Sequence, residues 1–222
     1  FSLVVIQPDL GTALSILILG VLILFASGIR IWKFVLGFIF ILFSIPVLLS
    51  FLKPYQRDRV ISFLNPDADA LGSGYQLIQS KIALGSGGLS GKGFLEGTQS
   101  YLQYLPEKQT DFIFTLIGEE FGFIGSIFII FLFLLVISIC FYISIKSIHI
   151  FGRILSIGVG TNIFIYVIMN ISMVSGLMPV VGIPLPLVSY GGSAMLSILI
   201  SIGLVLNIEL NANIKKLKYA WN

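Results

Sequence analysis

Asp111 is an acidic residue at the boundary between a polar stretch and a long apolar run. The polar stretch covers residues 53–110, and the apolar run covers 112–143. A carboxylate at such a boundary can act as a general base if it is partly desolvated, or it can start a helix by accepting backbone N–H groups. The proline and acids within 106–111 are also typical of a helix start. The sequence therefore leaves two roles open for Asp111, catalytic base and helix cap.

Two further acids, Glu119 and Glu120, follow about 12 Å along the same predicted helix. Ionised groups at membrane depth avoid lipid, so these residues must line a wet pocket or find cationic partners. The run from Asp111 to Ile143 has 33 residues. As a helix it would be about 50 Å long, against about 30 Å for a hydrocarbon core. Either the helix tilts or its first turns stand at the outer interface. The acids favour the second option and predict a polar cavity that opens outward.

Cationic side chains in the polar stretch could hold an anionic substrate, Arg in a bidentate manner and Lys as a point charge. The alternative is ordinary solvation or contact with anionic lipid headgroups. Hydroxyls in the segment 189–193 could contact a ligand, although its small residues equally suit close helix packing. The predicted substrate-binding residues are Arg57, Arg59, Lys81, Lys92, Lys108, Glu120, Ser189 and Ser193.

Two short motifs give weaker signals. Residues 85–93 (GSGGLSGKG) resemble a P-loop, but Ser86 replaces its first glycine and Gly93 its Ser/Thr. We expect a flexible turn there rather than a backbone nest for a diphosphate. Asp67 and Asp69 resemble the metal-binding DxD of glycosyltransferases, yet their Asn-Pro context favours a turn. We therefore predict no metal ligands, and leave open whether a divalent cation (Mg or Mn) is required.

The composition is that of a polytopic membrane protein. The chain is 57% hydrophobic and 10% charged, against about 25% charged in soluble domains. Apolar runs predict five membrane spans, at about 10–27, 33–52, 112–143, 152–174 and 189–208. We expect an all-α membrane helix bundle, a single domain over 1–222, with a large extracytoplasmic loop at 53–110. No nucleic-acid partner is expected.

The distribution of basic residues predicts the orientation. If the spans alternate, one side carries Arg30, Lys33, Lys146, Arg153, Lys215, Lys216 and Lys218. The short loop 175–188 on the other side has neither Lys nor Arg. By the positive-inside rule the C-terminus is cytoplasmic, and the long loop with Asp111 is outside.

The outer loop contains a helix signal of its own. Tyr75, Ile78 and Ile82 fall on one face of a helix over 75–84, and Gly85 follows as a stop. We expect this helix to lie on the membrane surface or against the bundle, and the loop to cap a cavity.

Four stretches, taken in order, resemble the SEDS family (RodA, FtsW, SpoVE), and most closely its RodA branch. They are residues 7–14 (QPDLGTAL), 72–93, 105–114 (LPEKQTDFIF) and 178–193 (MPVVGIPLPLVSYGGS). Family proteins have about ten transmembrane helices, so the resemblance implies that this chain is the C-terminal portion of a longer protein.

The resemblance implies a peptidoglycan glycosyltransferase of the bacterial cytoplasmic membrane. It would polymerise lipid II onto a nascent glycan strand during elongation, together with a class B penicillin-binding protein. The family's essential aspartate falls on Asp111, which would deprotonate the acceptor hydroxyl while undecaprenyl diphosphate departs. Two other interpretations stay open, a lipid II flippase or transporter and a non-catalytic scaffold for the penicillin-binding protein.

Overall fold

The structure, a computed structural model, describes residues 10–50, 73–98 and 109–220, together with the single positions 4 and 63. These residues form helices joined by turns and short loops. The helices are α1 (Leu10–Ala26), α2 (Ile31–Ser50), α3 (Ser73–Ser86), α4 (Ile113–Lys146), α5 (Ile150–Val174) and α6 (Gly192–Ala220). The predicted all-α membrane fold is confirmed.

A helix occupies each of the five segments predicted as membrane spans. Three of them are long and apolar enough to cross a membrane, namely α4, α5 and α6 as far as Asn211. Helices α1 and α2 contribute shorter apolar helical stretches, Gly11–Ala26 and Ile31–Ser44. The last helix starts three residues later than predicted, because residues 186–190 form a turn before it.

Helix α5 lies at the centre of the bundle and packs against α1, α4 and α6. Gly158 of α5 faces Ile23 near the end of α1, and Gly152 near the start of α5 faces Ile208 late in α6. Both neighbours therefore run antiparallel to α5. The short connection 147–149 makes α4 antiparallel to it as well.

The antiparallel arrangement separates the loops into two groups. Arg30, which follows α1, lies at one end of the bundle. The turn 147–149 between α4 and α5, flanked by Lys146 and Arg153, lies at the same end, because α1 and α4 both run toward it. Asp111 and the connection 175–191 lie at the other end. We call this second end the aspartate end.

Helix α3 docks at the aspartate end through polar contacts. The Ser80 hydroxyl donates to the Val174 carbonyl at 2.6 Å and lies 3.1 Å from the Thr115 hydroxyl. Ser80 and Thr115 are both buried. The outer-loop helix is therefore fixed to α4 and α5 at the turn that follows Asp111.

The face of α3 that packs is not the predicted one. Its buried positions are Gly74, Leu77, Ser80 and Ala83, whereas Ile82 is 47% exposed. Close approach to α4 and α5 favours small side chains and a hydroxyl with partners. An assignment based on the most apolar residues therefore selects a neighbouring face.

Helix α4 is interrupted at Gly122, whose φ of 67° and ψ of −160° are not helical. The residues after the break, 123–146, are about 36 Å long as a helix, close to a hydrocarbon thickness of about 30 Å. The predicted helix is longer than a hydrocarbon core is thick. The additional length is a short helical segment, 113–121, at the aspartate end.

The glycine loop, residues 87–93, satisfies the backbone groups released by this break. The carbonyls of Glu119 and Glu120 accept the N–H groups of Lys92 and Gly93 at 3.0 and 3.1 Å. In return, the N–H groups of 123 and 124 donate to the carbonyls of 88 and 89, at 2.9 and 3.1 Å. Four groups that an unbroken helix would pair internally are therefore paired across the two segments.

Glycine is required where the two backbones meet. Gly91 and Gly122 have φ values of +82° and +67°, in the region that disfavours other residues. A Cβ on Gly91 would overlap the Glu120 carbonyl, and one on Gly122 would overlap the Gly91 nitrogen. The segment expected to be a flexible turn is instead hydrogen-bonded to both sides of the break in helix α4.

We expect Gly122→Ala to lower the stability of the purified protein by about 2 kcal/mol or more, because it adds both a steric overlap and an unfavourable φ. The thermal unfolding midpoint in detergent would fall by several degrees. Gly203→Ala is the matched control, since nothing lies within 4 Å of a Cβ there. In a helix interior that change should be neutral or stabilising. Equal midpoints for the two variants would contradict the role of the glycine loop.

Candidate active site around Asp111

Asp111 lies in the turn 109–112, directly before α4. The N-cap of the helix is Phe112, so Asp111, for which the sequence left a capping role open, lies one residue before the N-cap position. Phe112 is only 1% exposed and belongs to the hydrophobic core, whereas Asp111 is half-buried. The buried ring anchors the turn and leaves the adjacent carboxylate at the edge of the bundle.

Three successive carbonyl groups in this turn accept hydrogen bonds from other parts of the chain. The Tyr190 N–H donates to the Gln109 carbonyl at 2.9 Å. The Ser189 hydroxyl donates to Thr110 O at 2.6 Å, and the amide of Asn170 donates to Asp111 O at 2.7 Å. We call this set of three hydrogen bonds the carbonyl clamp. It fixes the backbone on which the Asp111 side chain stands.

Asn170 is the most buried member of the clamp. It comes from the last turns of α5 and is 0% exposed. Its Nδ2 donates at 2.7 Å both to Asp111 O and to Ile183 O. Because both acceptors are carbonyl oxygens, the orientation of the amide is fixed. The Oδ1 atom is buried and has no hydrogen-bond partner among the described residues.

The connection 175–191 between α5 and α6 supplies the other clamp residues. Ile183 and Leu185 anchor it, each 1% exposed. The Ser189 hydroxyl accepts the Leu185 N–H at 2.7 Å while it donates to the turn that holds Asp111. Around Ile183, Leu185 and Ser189 the non-helical backbone is therefore buried, and the Leu185 N–H and the Ile183 carbonyl are paired within the protein.

Gly182 forms a wall beside the Asp111 carboxylate. A Cβ built on Gly182 would lie 3.2 Å from Asp111 Oδ2, and Gly182 has a φ of +69°. On the other side of the same segment, a Cβ on Gly11 of α1 would lie 2.6 Å from Val181 O. The start of α1 therefore packs closely against the residues on either side of Gly182.

Lys92, a predicted substrate-binding residue, pairs with a buried acid. Its Nζ lies 2.8 Å from Glu119 Oε1 and 2.7 Å from Thr98 Oγ1. The Glu119 side chain is 1% exposed, and that of Lys92 is 26% exposed. A buried carboxylate requires such a partner. The ion pair therefore also fastens the glycine loop to the break in α4.

Glu120 lies under the same loop and is 2% exposed. Its Oε2 atom is buried without a hydrogen-bond partner in the described part of the chain. In this arrangement the side chain does not border open solvent, and its predicted role in substrate binding stays a prediction.

The other predicted substrate-binding residues are spread over the aspartate end or lie outside the described residues. The end of the Lys81 side chain, including its Nζ, lies against Gly176, just after α5. Ser193 is exposed in the first turn of α6. Three residues, Arg57, Arg59 and Lys108, lie outside the described residues.

The predicted polar cavity that opens outward stays a prediction. A cleft of about 300 Å³ lies between the glycine loop, α4 and α5, lined by residues such as Leu84, Phe114 and Ser126. Asp111 does not border it. Residues 10–50, 73–98 and 109–220 contain no group of three His, Cys, Asp or Glu side chains that could hold a metal ion. Asp67 and Asp69 lie outside these ranges.

The sequence does not single out Asn170 as a functional residue. The available signal was an amide inside the apolar run 152–174, where a polar side chain needs a partner. That partner is a carbonyl 59 residues earlier in the chain. Asn162 gives the same signal in the same run, so the sequence does not distinguish the two.

Comparison with known proteins gives close relatives over nearly the whole chain. The peptidoglycan glycosyltransferase MrdB of Escherichia coli K12 is 47% identical over 209 residues, 93% of this chain and 56% of the relative. Stage V sporulation protein E of Bacillus subtilis is 42% identical over 210 residues, 94% and 57% of the two chains. The chain therefore spans somewhat more than half the length of these curated relatives.

A solved structure, described as "Structural coordination of polymerization and crosslinking by a peptidoglycan synthase complex", contains a chain with the same fold. The TM-score is 0.76 at 32% sequence identity, covering 95% of this chain and 58% of the other. The family model FTSW_RODA_SPOVE, described as cell cycle protein, matches residues 1–214. This match, together with relatives above 40% identity, identifies the chain as a member of the FtsW/RodA/SpoVE family.

Proposed function

We propose that this chain is the part of a peptidoglycan glycosyltransferase that carries the catalytic aspartate. In this proposal the protein polymerises lipid II into glycan strands during cell-wall elongation. The observation that carries it is the half-buried Asp111, held by the carbonyl clamp at the end of the bundle where the outer loop docks. The 47% identity to a protein named peptidoglycan glycosyltransferase supports the choice of reaction.

Asp111 acts as a general base on the acceptor sugar. Its carboxylate takes the proton from an acceptor hydroxyl, and the hydroxyl oxygen forms a bond to the anomeric carbon of the donor sugar. The bond from that carbon to the diphosphate oxygen breaks, and undecaprenyl diphosphate leaves with the electron pair. Direct displacement of this kind inverts the anomeric configuration.

Cationic groups would stabilise the departing diphosphate. Lys81 is exposed at the aspartate end and presents an ammonium group there. Lys92 is held by Glu119 and would need to keep that contact while it binds an anion. In the proposal Arg57, Arg59 and Lys108 add further positive charge, with Glu120, Ser189 and Ser193 as polar contacts.

The proposal places the aspartate end on the outer side of the bacterial cytoplasmic membrane. Basic residues at the opposite end of the bundle support this orientation through the positive-inside rule. The related solved chain belongs to what its description calls a peptidoglycan synthase complex for polymerization and crosslinking. We accordingly include a class B penicillin-binding protein as the partner.

We expect Asp111→Asn to abolish polymerisation of lipid II by the whole purified protein, because an amide cannot accept the proton. Loss of a general base typically reduces a rate by about 100-fold to 10,000-fold. Polymer length and yield would be measured with lipid II in detergent, with and without the partner transpeptidase. The thermal unfolding midpoint of the variant is measured as well, so that loss of the base is distinguished from loss of the fold.

The same assay separates the alternatives. Polymerisation by Asp111→Asn at the wild-type rate would contradict the assignment of the base. If the wild type forms no polymer but moves lipid II across the bilayer of reconstituted vesicles, the protein is a flippase. If it is inert in both assays and still stimulates transpeptidation by the partner, it is a scaffold.

A double-mutant cycle tests whether Lys92 is structural. Lys92→Met leaves the buried Glu119 carboxylate without its ammonium partner, which should cost about 3 kcal/mol or more of stability. In the double variant Lys92→Met/Glu119→Gln, the loss of thermal stability should be smaller than the sum of the single losses. Lys33→Met, at an exposed position of α2, is the control. A Lys92→Met variant with wild-type stability and a raised KM would instead assign Lys92 to substrate binding alone.

A further inference from the structure

We infer that Asn170 and Ser189 are positioning residues that fix the Asp111 carboxylate for catalysis. This inference rests on the proposed function, because it requires Asp111 to act as the base. It also changes the role of Ser189, which the sequence suggested as a substrate contact. Asn170 has no role in the sequence-based prediction.

The clamp acts on the backbone, and the backbone determines where the carboxylate can be. The carbonyls of 109, 110 and 111 are each bound from a different residue of α5 or its connection to α6. On the other side, the buried ring of Phe112 holds the chain in the core. Gly182 lies beside the carboxylate that this backbone carries.

Asn170 connects the turn that carries the Asp111 carboxylate to the segment that contains Gly182. One amide nitrogen binds both Asp111 O and Ile183 O, each at 2.7 Å. Ile183 is the residue after Gly182, the wall beside the carboxylate. The turn that carries the base and the segment that confines it are therefore held to a common group on α5.

Ser189 repeats this coupling with a hydroxyl. It donates to Thr110 O at 2.6 Å and accepts from the Leu185 N–H at 2.7 Å. Both its hydrogen and a lone pair are thus used within the protein, and Ser189 is only 8% exposed. A contact with substrate would require at least one of these bonds to be given up.

The expected effect follows from the geometry of proton transfer. A general base must lie within about 2.6–3.2 Å of the hydroxyl that it deprotonates. A displacement of about 1 Å caused by a change away from the reacting atoms can lower the rate about 100-fold. A positioning residue therefore affects kcat much more than KM, whereas a residue that binds substrate affects KM.

The experiment measures initial rates of lipid II polymerisation by the whole purified protein as a function of lipid II concentration. We expect Asn170→Leu, which keeps the size but loses both donated hydrogen bonds, to lower kcat about 100-fold with KM nearly unchanged. Ser189→Ala should lower kcat about 10-fold, and Ser189→Thr, which retains the hydroxyl, should restore most of it.

Each control is matched in residue type. Asn162→Leu changes a half-buried asparagine of α5 far from Asp111, and Ser197→Ala removes an exposed hydroxyl of α6 that bonds within its helix. Both should keep wild-type kcat and KM. Rates are expressed per folded molecule, with folding monitored by thermal unfolding and gel filtration. If Asn170→Leu does not fold, the inference is tested by comparing the kcat of Ser189→Ala with that of Ser189→Thr.

Three results would overturn the inference. In the first, Asn170→Leu and Ser189→Ala both keep wild-type kcat. In the second, Ser189→Ala raises KM at constant kcat, which identifies Ser189 as a substrate contact. In the third, Asp111→Asn retains full activity, and the base assignment then fails together with the inference. If Asp111→Asn is inactive while Asn170→Leu and Ser189→Ala are fully active, only the inference is wrong. The proposed function then stands.

Discussion

Backbone N–H and C=O groups that are buried where a helix breaks or begins must find partners within the protein, because an unpaired buried polar group costs free energy. This constraint acts at two places in the structure. At the break in α4, four such groups are paired by the glycine loop. In the turn before α4, three carbonyls are paired by the carbonyl clamp. The order of the aspartate end depends on both.

The two places are linked through the short segment 113–121. Its first residues follow the clamp, and its last residues, including the buried acids Glu119 and Glu120, meet the glycine loop. Helix α3 packs across the middle of this segment through Ser80 and Thr115. The aspartate turn, the ion pair of Lys92 with Glu119 and the docked outer-loop helix are therefore all connected to one short helix.

Polar residues inside the bundle are used for internal connections. The Asn170 amide joins two loops, and Lys92 neutralises a carboxylate that is 1% exposed. The most conspicuous candidates in a sequence are therefore not always the groups that meet a ligand. A cation or hydroxyl already engaged in buried contacts contributes to a site by holding other groups in place.

Composition and apolar run lengths alone determined the fold class, the approximate helices and the position of Asp111 beside a long helix, because the length and hydrophobicity of a span are local properties. The four motifs determined the family for the same reason. Only the tertiary structure decided that α4 is broken at Gly122, that α3 packs through Ser80 and Ala83, and that Asn170 rather than Asn162 supports the aspartate turn. These features depend on hydrogen bonds between residues far apart in the chain, and a local pattern does not specify which donor meets which acceptor.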